Sequence, residues 1–256
     1  MLLKVAIINP KTCMHQQKEV SKMINITFPD GNKKEFSHGI TGLEVASSIS
    51  KSLEKAALAI KLNGILFDLS TPITEDSKIE IVTSNSADGI EVIRHDAAHI
   101  LAEAVKELYP ETEVTIGPTI ENGFYYDFSR STPFTPDDLP KIEAKMKQIV
   151  SRGDKIERKV MSRAEAIDYF TNLGEKYKVE IIKDLPESEE ISVYFQGKFA
   201  DLCRGPHSPS TKHVKAFKLL KIAGAYWRGD SKNEMLHRIY GTAWATEEQL
   251  KEYLHQ

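Results

Sequence analysis

Cysteine is scarce: the chain has 256 residues and only two cysteines, Cys13 and Cys203. Cys13 falls in a loose N-terminal extension, so no framework held by disulfides is implied. Long apolar runs are missing as well. None approaches the ~18 residues that a membrane-spanning helix needs. The apolar start, MLLKVAII, is interrupted by Lys4 and is not followed by a small-residue cleavage site; it falls short of a secretory signal. No membrane partner is expected, and a cytoplasmic location is. Internal repeats and low-complexity tracts are also lacking. A general excess of positive charge is absent too: the net charge is −3, which excludes a uniformly basic nucleic-acid binder.

What is present is a globular composition, 41% hydrophobic and 28% charged, with length for about two domains. Positive charge is concentrated locally. Residues 202–240 hold eight Lys or Arg (204, 212, 215, 218, 221, 228, 232 and 238) against Asp230 and Glu234, a net of +6. Such a stretch suits a phosphate backbone, or is an ordinary solvated face.

Residues 1–22 read as a loose extension. From Met23 the chain alternates apolar and polar residues up to Asp30-Gly31, a hairpin signal, and Lys33 to Phe36 forms the return strand. Thr41-Gly-Leu-Glu44 is a capping box that opens a helix to about Ala59, with Leu43, Ala46, Ile49, Leu53 and Ala57 at helical spacing. Short strands follow at 60–62, 66–67 and 78–83. This is a small α+β module over 23–84, and 84–88 is a linker. The second region, 89–240, opens with a helix to Leu108. A hairpin around Glu121-Asn122-Gly123 follows, then helices over 137–151 and from the box Ser162-Arg-Ala-Glu165 to near Gly174. Strands then alternate to about Trp227. Thr246-Glu-Glu-Gln249 starts a helix in the last segment, 241–256.

The chemistry gathers in two places. Arg94-His95-Asp96-Ala97-Ala98-His99 sets two histidines at i and i+4, on one helix face about one turn apart. Far downstream, Asp201-Leu-Cys203-Arg-Gly-Pro-His207 adds a thiol and an imidazole on a Gly-Pro loop. His95, His99, Cys203 and His207 are a plausible zinc set. Equally, they can form a metal-free hydrolytic pocket with imidazole as general base.

H-x-x-x-H followed by C-x-x-x-H resembles the editing domain shared by threonyl- and alanyl-tRNA synthetases. Thr115-Ile-Gly-Pro118, Asn122-Gly-Phe-Tyr-Tyr-Asp127, Asp201–His207, Ala223-Gly-Ala-Tyr-Trp-Arg-Gly-Asp230 and Arg238-Ile-Tyr-Gly-Thr-Ala-Trp244 resemble the bacterial threonyl type. The front module resembles the TGS domain, a ubiquitin-like β-grasp fold. The resemblance covers residues 23–256. It implies a small β-grasp domain followed by a larger α+β editing domain, with 241–256 leading toward a class II aminoacylation domain. The ATP-binding residues and catalytic zinc ligands of that domain have no counterpart here, so ligation is not expected from this chain alone. The resemblance further implies that His95, His99, Lys178, Cys203 and His207 do the chemistry, and that Tyr126 and Asp201 bind substrate. The substrate would be the mischarged 3′ end of Ser-tRNA(Thr), hydrolysed without a required cofactor. Zinc at the His/His/Cys/His cluster is the feature of alanyl-type relatives.

Editing is needed because threonine exceeds serine by one methyl group, worth only about 1–3 kcal/mol of selectivity. Two other readings stand beside it: a free-standing zinc deacylase of the alanyl type, and a non-catalytic tRNA-binding fragment. The β-grasp module ahead of the histidine helix counts against the first.

Overall fold

The computed structural model describes residues 22–256. The extension expected over 1–22, with Cys13, lies outside the described residues apart from Lys22. Among the described residues no helix is long and apolar enough to cross a membrane.

In the first domain β1 (Met23–Thr27) and β2 (Lys33–Ser37) form the expected hairpin. Two short strands, β3 (Ile40–Thr41) and β6 (Pro72–Ile73), pair with each other. Strands β4 (Ala59–Leu62), β5 (Ile65–Asp68) and β7 (Ser77–Val82) complete a sheet of order β2-β1-β7-β4-β5. The β1–β7 pair is parallel and the others are antiparallel. The expected single helix to Ala59 is two: α1 (Gly42–Ile49) and α2 (Lys51–Ala56). Ser50 breaks it, because its extended backbone lets the side chain accept from Leu53 N and cap α2. The break also alters the buried stripe. Val45 and Ala46 are fully buried, whereas Leu43 and Ile49 are 36% and 50% exposed.

Helix α3 (Ala87–Leu108) begins inside the expected linker, where Ser86 accepts from Gly89 N. At Gly89 the helix passes so near Thr83 that a Cβ would lie 1.8 Å from the Thr83 carbonyl oxygen. Its middle is buried almost all round, from Val92 through Val105, as fits a helix enclosed on every side. On one side lies a second sheet. It contains β8 (Glu113–Val114), β9 (Thr119–Ile120), β10 (Gly123–Ser129), β14 (Ala216–Tyr226) and β15 (Met235–Trp244), with path β14-β15-β10-β8 and β9 paired to β10. Alternation along β10 turns Phe124, Tyr126 and Phe128 into the core. Helix α4 (Asp138–Arg152) buries Ile142, Met146 and Ile149 against the same core.

A third sheet, β11 (Ile156–Met161), β12 (Ile191–Gln196) and β13 (Phe199–Leu202), packs on α5 (Arg163–Asn172) and α6 (Lys176–Asp184). Helix α6 replaces a segment expected to be strand. Tyr177, Val179 and Ile181 alternate, which mimics a strand, but Gly174 at φ +74° ends α5 and the chain re-enters a helix. The chain closes with α7 (Glu247–Leu254), capped by Thr246.

The two domains share apolar contact. Leu58, Ala59 and Val82 of the first domain belong to the cluster built around α3, and Lys61 pairs with Asp88 at 2.6 Å.

Candidate functional site

Two elements bring the four cluster residues together. Helix α3 carries His95 and His99 one turn apart, with ring centroids 5.1 Å from each other. Strand β13 ends at Leu202, and the loop after it folds back over α3. Gly205 sits at φ +74° in that loop, where a Cβ would come within 2.0 Å of the Tyr194 hydroxyl; glycine is what permits the approach. The loop stacks His207 on His95, with centroids 4.0 Å apart and ring planes inclined by 29°, and places it 4.2 Å from His99. Cys203 Sγ lies 3.2 Å from His95 Nε2 and 3.3 Å from His207 Nε2, and accepts from Gly205 N at 3.2 Å.

The outer nitrogens fix the tautomers. His95 Nδ1 faces the Pro206 carbonyl at 3.2 Å, and His207 Nδ1 faces Asp96 Oδ1 at 2.8 Å. Both partners accept, so each Nδ1 carries the proton and each Nε2 turns a lone pair toward the sulfur. Burial pushes His95 down to about 3 and His207 to about 4, and holds His99 well below its ordinary value. Burial pushes the Cys203 thiol up to about 12. At neutral pH the cluster is therefore three neutral imidazoles and one thiol. A single S–H proton cannot satisfy both Nε2 lone pairs, so the cluster is short of donors. It is built to accept from a water or to bind a cation.

The donor chemistry fits zinc. One ligand atom from each of His95, His99, Cys203 and His207 lies within 4.8 Å of the others, and three imidazoles with a thiol suit that ion. The Nδ1 contacts to Asp96 and Pro206 are the kind that orient metal-bound histidines.

Behind the cluster lies a buried polar group. Asp201 pairs through Oδ1 with Lys178 Nζ at 2.5 Å and accepts through Oδ2 from Tyr126 OH at 2.8 Å. His99 Nε2 is 3.6 Å from the same Oδ2. Lys178 also donates to the Thr115 carbonyl and lies 3.2 Å from Tyr126 OH. Two hydrogen bonds and one ion pair thus engage the ammonium, and only 2% of the residue is exposed. Burial, then Asp201, holds the Tyr126 hydroxyl well above its ordinary value, so it stays a donor. All seven residues singled out in the sequence converge here. Four form the cluster, while Lys178, Tyr126 and Asp201 form its backing, tied to one another by the Lys178–Asp201 ion pair and the Tyr126 hydrogen bonds.

Residues 24–83 match the TGS domain, and residues 191–240 match the threonyl and alanyl tRNA synthetase second additional domain. The chain is 60% identical over 232 residues, 91% of its length, to the threonine–tRNA ligase of Rickettsia akari (strain Hartford). Those of Rickettsia bellii (strain OSU 85-389) and Rickettsia typhi (strain ATCC VR-144 / Wilmington) are 60% and 58% identical over the same length. The chain carries a TGS domain and a second additional domain. It spans 36–37% of the length of these curated relatives.

Within the second additional domain the matched stretch holds Asp201, Cys203 and His207, while the helix with His95 and His99 precedes it. The net +6 stretch does not form one free basic face. Arg204 pairs with Glu189, Lys218 with Glu143, Arg228 with Asp184, and Arg238 with both oxygens of Asp127. Those acids come from elsewhere in the chain, so a local charge count could not see them. Two functional candidates went unread in the sequence. Asp96, inside the H-x-x-x-H motif, is a signal that was available: an acid one step from a histidine on a buried helix. Asp68, on the TGS domain, gave none.

Proposed function

We propose that the second additional domain hydrolyses the aminoacyl ester of mischarged Ser-tRNA(Thr). What carries this reading is the donor-poor cluster, in which His95 Nε2 and His207 Nε2 face Cys203 with their tautomers fixed from outside. Water entering there finds lone pairs that accept its hydrogens and orient its oxygen toward the ester carbonyl carbon. With pKa values near 3 and 4, these imidazoles position the water and accept its proton only as the new C–O bond forms. The tetrahedral intermediate collapses with loss of the ribose oxygen, which takes up the proton, giving serine and free tRNA.

Asp201 is held beside the cluster by Lys178 and Tyr126. A cavity of about 200 Å³ opens beside Cys203, with Ile181, Leu185, Ile191 and Leu202 on its apolar side and Glu189, Glu190, Ser192 and Arg204 on its polar side. Exclusion of threonine's methyl group would come from lack of room at the bound serine's β-carbon, since overpacking a tight site costs about 1–3 kcal/mol. The reaction is proposed to need no cofactor. A zinc ion, if bound, would be held by His95, His99, Cys203 and His207 and would supply Lewis-acid polarisation, the alternative alanyl-type chemistry. The tRNA partner follows the names of the relatives. The test is deacylation of Ser-tRNA(Thr) against Thr-tRNA(Thr) by the chain alone; equal rates, or none, end the proposal.

A further inference from the structure

We infer that Asp68 of the TGS domain is a positioning residue for the hydrolytic cluster of the second additional domain, acting through the backbone of His207. This rests on the reading of that cluster as an aminoacyl-ester hydrolase.

Asp68 closes β5 and is 8% exposed. Its Oδ1 accepts from the His207 backbone N–H at 2.9 Å, and its Oδ2 accepts from Tyr194 OH at 2.7 Å. The Tyr194 ring in turn packs edge-on against the His207 imidazole, centroids 4.5 Å apart. One carboxylate therefore holds His207 twice, directly and through Tyr194. Among the described residues it makes the only hydrogen bond between residues 24–83 and the loop 203–210.

The seam beside it is open. A cavity of about 320 Å³ runs between Leu66, Phe67 and Thr71 on one side and Arg158, Gly205 and Pro206 on the other. Side-chain packing does not fill this part of the domain boundary, so the hydrogen bonds set where the loop sits.

The geometry makes that position matter. Asp96 holds the outer nitrogen of His207, and Asp68 holds its main chain. The line between these two anchors aims Nε2 at Cys203, 3.3 Å away. Without Asp68 the main chain keeps its hold on Asp96 only through Ser208, one residue on, so the His207 ring can tilt about Asp96 and the aim is lost. Misplacement by about 1 Å in a reacting site can cost about 10²-fold in rate. The fold does not rest on this contact, because Leu58, Ala59 and Val82 join the domains through the α3 core.

The test uses the full chain with Asp68→Ala and Asp68→Asn. Seryl-ester hydrolysis is split into kcat and KM, and amide hydrogen exchange at His207 is read by NMR. Asp68→Ala is expected to lower kcat about 10- to 100-fold with KM nearly unchanged, and to speed exchange of the His207 amide at least about tenfold. Asp68→Asn keeps a carbonyl acceptor for that amide and is expected to restore both to within about threefold of the parent chain. Unchanged kcat and exchange in Asp68→Ala would overturn the inference, and so would Asp68→Asn as impaired as Asp68→Ala. Should the parent chain not hydrolyse the seryl ester, the hydrolase reading fails on its own; slow His207 exchange released by Asp68→Ala still upholds the hold, and unaltered exchange removes it.

Discussion

His207 Nδ1 and Asp96 Oδ1 meet at 2.8 Å with neither side chain reached by solvent. Asp96 also accepts from Ser208 N at 3.2 Å and from the Ser208 hydroxyl, so its carboxylate is held in place while it holds the imidazole. Burial raises Asp96 to about 6, which leaves it ionised and accepting at neutral pH. Asp96→Ala removes the acceptor at Nδ1, which frees the imidazole to take the other tautomer and put a proton on Nε2 where the lone pair is needed, whereas Asp96→Asn can keep an oxygen facing both Nδ1 and Ser208 N. In Asp96→Ala deacylation should fall about 10- to 100-fold, the usual scale for losing such an outer partner. Its imidazole ¹⁵N spectra should show the tautomer change; an unaltered His207 spectrum would contradict the assignment.

Removing a cluster member should cost more. His95→Ala and Cys203→Ala should each lower deacylation by at least about 10²-fold, with little change in far-UV circular dichroism. Near-parental activity in both would remove the cluster from the mechanism.

Substrate choice is the sharpest consequence of a steric filter. Serine fits wherever threonine fits, so only a wall at the position of the extra methyl discriminates in the needed direction. Ser-tRNA(Thr) should be hydrolysed at least about 10²-fold faster than Thr-tRNA(Thr). Chelators should alter this rate little. Abolition by chelation, reversed by zinc, would select the alanyl-type reading, because a site organised by an ion loses its organiser.

Glu103 offers a test of stability. It is 2% exposed on α3, accepts from Gln196 Nε2 at 2.7 Å, and burial raises its carboxyl from 4.5 to about 7. A raised acid pKa means that the folded state binds more protons between those values. This group's effect on stability is thus fully present below pH 4.5 and is lost as pH rises from there through about 7. Urea unfolding of the parent chain should weaken from pH 5 to 7.5 by on the order of 2 kcal/mol more than that of Glu103→Gln. Parallel pH profiles would refute the assignment.

Salt dependence should follow the unpaired cations. With Arg204, Lys218, Arg228 and Arg238 engaged by acids, the stretch offers Lys212, Lys215, Lys221 and Lys232 to phosphates. Replacing Lys212 and Lys215 with alanine should reduce the slope of log K against log salt for tRNA by no more than about 2. No reduction would show that these two lysines do not contact phosphates.

Much of this was legible in the chain. Apolar alternation, Asp30-Gly31 and the capping boxes at Thr41 and Ser162 express local preferences that the fold keeps. The i, i+4 pair His95 and His99 and the C-x-x-x-H loop were visible as patterns. What escaped depended on neighbours distant in sequence or on competing local signals. Ser50 could continue a helix or cap the next one, and it caps. The alternation Tyr177, Val179, Ile181 hid α6, and with it the reason Lys178 reaches Asp201. The neutralised arginines, the outer contacts of the histidines, and Asp68 exist only once separate segments meet.

The boundary between the domains has a further consequence for descent. Val82, Leu58 and Ala59 lie in the core of α3, and Gly89 is wedged against Thr83. A module joined in this way cannot be exchanged like a bead on a string. A foreign β-grasp domain spliced ahead of Ser86 would have to bring matching apolar residues at these three positions and an acceptor where Asp68 stands. Change on either side of the seam is therefore constrained by the other.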